Sequence, residues 1–69
     1  MITVKDLCRA YLEPHDDCTI DDINSGKTIW EGSIMGATHG QYCHATVESF
    51  SSTSGGICIN IDAGEVNEM

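Results

Sequence analysis

The chain has 69 residues, 41% of them hydrophobic, with three Lys+Arg against 11 Asp+Glu for a formal net charge of −8. One domain is all that this length holds, and a domain of this size buries only about 60% of the surface its unfolded chain exposes. Direct binding to nucleic acid or to an anionic membrane needs clustered Lys and Arg, so the charge excludes both as primary partners.

The N-terminal segment opens M-I-T-V-K-D-L, with Lys5 and Asp6 ahead of any apolar run. No signal peptide or membrane span is drawn there, and the expected location is the cytoplasm. Cys8, Cys18, Cys43 and Cys58 are then expected as reduced thiols. Thr3 is placed to cap a helix over Val4 to Leu12, with Asp6 as its capping-box partner and Pro14 ending it. Val4, Leu7, Cys8, Tyr11 and Leu12 form the apolar stripe.

Pro14 to Asp17 reads as a turn, followed by strands over Cys18 to Ile23 and Thr28 to Gly32 around Asn24-Ser25-Gly26-Lys27. A three-residue loop opposing Ile23 with Ile29 keeps Ile20 on the face of Trp30, and that register is preferred over a two-residue Ser-Gly loop. It leaves apolar residues on both sheet faces. Gly32 to Gln41, with glycines at 32, 36 and 40, reads as a mobile connection or a short irregular helix. Tyr42 to Phe50 and Ile57 to Ile61 are further strands around a loop at 51–56. In the last strand Ile57, Ile59 and Ile61 point one way while Cys58 and Asn60 point the other. The expected fold is α+β, one N-terminal helix on a small antiparallel sheet of three to four strands. It forms a single domain over residues 1–62 with a frayed acidic tail at 63–69.

Asp16, Asp17, Asp21 and Asp22, with Glu31 on the neighbouring strand, are the densest acidic region. With Trp30 as an aromatic anchor they form the candidate partner-binding set, directed at a basic protein surface. His15, Cys18, Cys43 and His44 are the alternative, a metal-stabilised module, although no C-x-x-C or other zinc-ligand spacing accompanies them. The expected state has no cofactor and no metal. His39 and His44, with Ser33, Ser49 or Cys43 as nucleophile, lack any motif that orients them, so no catalytic residue is assigned and the chain is not read as an enzyme. A third possibility is self-association, as a homodimer or structural accessory protein.

The T-V-K-D-L opening, the S-G-K-T-I-W-E-G stretch at 25–32 and the alternating I-C-I-N-I at 57–61 resemble small proteins encoded by bacteriophages and mobile elements. That resemblance implies a helix on a small antiparallel sheet and a role as an accessory protein. By analogy with anti-CRISPR inhibitors in that class, it also implies a host defence or nucleic-acid-binding protein as target.

Overall fold

The computed structural model describes residues 2–64, which form α1 (Val4–Ala10), β1 (Asp17–Asp22), β2 (Thr28–Ser33), α2 (Ile34–Thr38), β3 (Val47–Thr53) and β4 (Gly56–Ile61). The α+β class holds, with two corrections. The sheet is mixed, in the order β2-β1-β4-β3 with β1 and β4 parallel, and a second helix joins the first. Burial accounts for the strand order. β1 and β4 carry the buried Cys18, Ile20, Ile57, Ile59 and Ile61, so they take the centre of the sheet under the helices. The more polar β2 and β3 go to the edges.

α1 begins as its sequence dictates. The Thr3 hydroxyl accepts from the Asp6 N–H at 3.2 Å, and the Asp6 carboxylate accepts from the Thr3 N–H at 3.2 Å. Two of the helix's opening N–H groups find carbonyls elsewhere in the chain, Val4 to Ala45 and Lys5 to Cys43, each at 2.9 Å. Those contacts explain why the strand expected from Tyr42 starts only at Val47, since the backbone at 43 and 45 caps a helix instead of extending a sheet. The helix ends at Ala10, and Leu12, expected on the apolar stripe, is 90% exposed.

The 32–41 stretch takes the short-helix form. Ser33 ends β2 and caps α2, its hydroxyl accepting from the Gly36 N–H at 3.0 Å. α2 packs on α1 and on β1 and β2. Val4, Cys8, Ile34, Ala37 and Ala45 thereby close over the central strands as one core.

The β1–β2 hairpin departs from the expected register. Ile20 pairs directly with Trp30, Asp21 pairs with Thr28, and a bulge between those pairs leaves Ile29 as the extra residue. Strict alternation would send Ile29 and Trp30 to opposite faces. With the bulge, both pack against the core. Ile23 leaves the strand for the turn, where Gly26 adopts φ +72. Among the described residues the expected second apolar face of the hairpin is absent, because Thr19, Asp21 and Glu31 line that side.

The β3–β4 hairpin is tight, with Thr53 opposite Gly56. The broad loop expected at 51–56 shrinks to Ser54 and Gly55. Of the expected tail, Ala63 is buried and its N–H donates to Asp22, while 65–69 lie outside the described residues. Among the described residues no helix is long and apolar enough to cross a membrane.

Candidate protein-binding surface

The six residues picked out by composition divide into three environments. Asp22 is drawn into the β1–β2 turn. Its carboxylate accepts from the Asn24 N–H at 3.2 Å, the Asn24 amide at 3.3 Å, the Ser25 hydroxyl at 3.0 Å and the Ala63 N–H at 3.2 Å. These donors hold its carboxyl below the ordinary aspartate value, the Ala63 N–H contributing most. Asp62 completes the knot by accepting from the Asn24 amide at 2.6 Å and the Gly64 N–H at 3.0 Å. Asp22 therefore fastens the hairpin turn to the end of β4. Asp16 accepts from the Tyr11 hydroxyl at 3.1 Å, and that bond to a carboxylate pushes the phenol's pKa up.

Asp17, Asp21 and Glu31 form the second group. Asp17 and Asp21 alternate with the buried Cys18 and Ile20, so they point to the side of the sheet away from the helices. Glu31 stands opposite Thr19 and shares that side. Asp17 and Glu31 are exposed. Asp21 is half-buried, accepting from the Thr28 hydroxyl at 2.7 Å and from the Cys58 thiol at 3.5 Å.

Trp30 stands alone on the opposite side, packed against the helix-side core. The G-x-x-x-G-x-x-x-G spacing of Gly32, Gly36 and Gly40 makes its seat. A Cβ at Gly32 would lie 2.7 Å from the indole Cη2, at Gly36 3.4 Å from Cη2, and at Gly40 3.7 Å from Nε1. Thr28, Ile29, Trp30 and Glu31 line an open depression of about 360 Å³ along β2. Trp30 and the exposed Glu31 thus share this sheet edge.

Thr19, Ser49, Ser51, Cys58 and Asn60, none of them in the candidate partner-binding set, complete the open face. Alternation in I-C-I-N-I signals that Cys58 and Asn60 point outward. Their place beside β1 follows from the parallel β1–β4 register, which sets Thr19 against Cys58 and Asp21 against Asn60.

The alternative metal set is scattered. Cys18 is sealed in the core and its thiol is pushed up to about 12, chiefly by burial, whereas His15 and His44 are exposed and Cys43 is half-buried. Among the described residues no three His, Cys, Asp or Glu side chains converge as metal ligands. The Cys8 thiol is likewise raised by burial, in keeping with a small core hydrophobe. Ser33 is committed to capping α2, and His39 sits exposed at that helix's C-terminal end.

No protein-family model, curated protein or solved structure matches this chain. The reading of its function rests on the surface itself.

Proposed function

We propose that this protein is a small accessory interaction protein of the phage and mobile-element type, cytoplasmic in a bacterial host. In this reading it docks the open face of its sheet on a basic protein surface. The target is a host nucleic-acid-binding protein, an effector of host defence among them, and the action is occlusion without catalysis. The observation that carries the reading is the placement of Asp17 and Glu31, exposed on one open sheet face. The three basic residues lie elsewhere, Lys5 and Arg9 on α1 and Lys27 in the turn beyond β1.

Exposed carboxylates of this kind act by steering and by salt-sensitive pairing. The placement also narrows which residues are in contact. Asp17, Glu31 and the rim of the Trp30 depression meet the partner, Asp21 supports them from within the sheet, and Asp16 and Asp22 serve the fold. The test is capture from bacterial lysate at low and high salt. Wild type should retain a specific basic protein that salt releases, and a D17K/E31K double variant should lose it. Absence of any specific partner, or retention by the double variant, defeats the reading.

A further inference from the structure

We propose that the free edge of β3 is a self-association surface, on which a second copy of the chain adds its own β3 antiparallel about a two-fold axis near Ser51. The edge is open and regular. The strand's N-terminal end is covered, because the Val47 N–H donates to Ile2 at 2.9 Å and Thr3 bridges Thr46. Among the described residues, Ser49 to Thr53 of β3 pair only with β4, and the bulge lies before this stretch.

The ladder fixes which backbone groups face outward. The Asp17 N–H donates to Gly55 and the Ile23 N–H to Ile61. Ile57, Ile59 and Ile61 therefore turn their backbone groups toward β1, and Gly56, Cys58 and Asn60 turn theirs toward β3. Ser49, Ser51 and Thr53 answer them, which leaves the N–H and C=O of Phe50 and Ser52 pointing to the open edge. Pairing Phe50 with Ser52 of a second copy satisfies all of these groups. It also brings the two Phe50 rings into diagonal reach on the helix side, where Phe50 is now 54% exposed.

Charge selects the occupant. Ser49 to Ile61 is thirteen residues without a charge in a chain of net −8. Beyond Glu48 at the start of the strand, a basic partner gains nothing from Ser49 to Thr53, whereas a second equally acidic copy meets its least repulsion there. The devices that guard free edges, namely charge, proline and bulges, are absent from Ser49 to Thr53.

Sedimentation velocity from micromolar to millimolar protein, at low and high sodium chloride, tests this. Dimerisation should strengthen with salt, the opposite of the acidic-face interaction, so either reading can fail without the other. Ser52→Pro removes an outward N–H in each copy and should weaken dimerisation about a hundredfold. Phe50→Thr alters an exposed side chain, leaves the monomer folded, and should weaken dimerisation about tenfold. Amide exchange at high concentration should protect Phe50 and Ser52. A monomer at millimolar concentration in high salt overturns the proposal. So does a dimer that Phe50→Thr leaves at full strength, or one that protects a different edge.

Discussion

The two hairpins of this sheet are built from strands of similar length and differ in charge density. β1–β2 and the turn before it hold Asp16, Asp17, Asp21, Asp22 and Glu31 and contain a bulge, while β3–β4 runs uncharged from Ser49 to Ile61. They meet along the parallel β1–β4 seam, where both contribute buried side chains. The difference teaches that net charge is a poor guide to what a small protein does. At the β1–β2 end some carboxylates are spent on folding and two are left for solvent. At the other end the absence of charge leaves an edge unguarded.

The seam is where the comparison breaks first. At Gly56 a Cβ would run into the Asp17 backbone. Gly56→Ala should destabilise by about 3 kcal/mol or more, enough to unfold a core of this size, as read by urea denaturation followed by circular dichroism. Within the β3–β4 hairpin, Ile59 is 0% exposed and directly opposite Phe50. The same denaturation series should give about 2–5 kcal/mol of destabilisation for Ile59→Ala but no more than about 0.5 kcal/mol for Phe50→Ala. Equal losses would mean that Phe50 is covered in solution, which sharpens the case for a partner on that edge.

A smaller effect belongs to the α1 cap. Thr3→Ala removes the acceptor for the Asp6 N–H and should lower stability by about 1 kcal/mol. The smallest effect at neutral pH is that of Asp22→Asn, because the amide oxygen still accepts from the Asn24 and Ala63 N–H groups. Its signature is in acid. Asp22 titrates lower in the folded chain than in the unfolded one, so its contribution is complete above the unfolded value of about 3.9 and is lost as pH falls through the folded value. Thermal midpoints of the variant should therefore fall less steeply than wild type below about pH 4. Asp6, lowered first by the Thr3 N–H, acts in the same direction and keeps part of the acid limb.

Local chemistry was legible in the sequence, and distant pairing was not. Thr3 and Asp6 cap a helix three residues apart, and Ile57, Ile59 and Ile61 alternate inward, because both patterns are set by neighbours along the chain. The β1–β4 pairing joins residues separated by two strands and a helix, and no local pattern encodes it. The glycine spacing at 32, 36 and 40 was visible, but its role as the seat of Trp30 depends on the indole folding back over α2. For the candidate surface, the sequence located the acidic region without distinguishing members that hold the fold, such as Asp22, from exposed ones such as Asp17 and Glu31. That distinction lies in which donors reach each carboxylate.

Lysate capture with wild type, D17K/E31K and Ser52→Pro in parallel tests the division of labour between the hairpins most directly. Wild type and Ser52→Pro should retain the same basic protein, released by salt, while D17K/E31K retains none. Equal capture by D17K/E31K, or loss of the partner in a folded Ser52→Pro variant, would contradict the assignment of partner binding to the acidic hairpin.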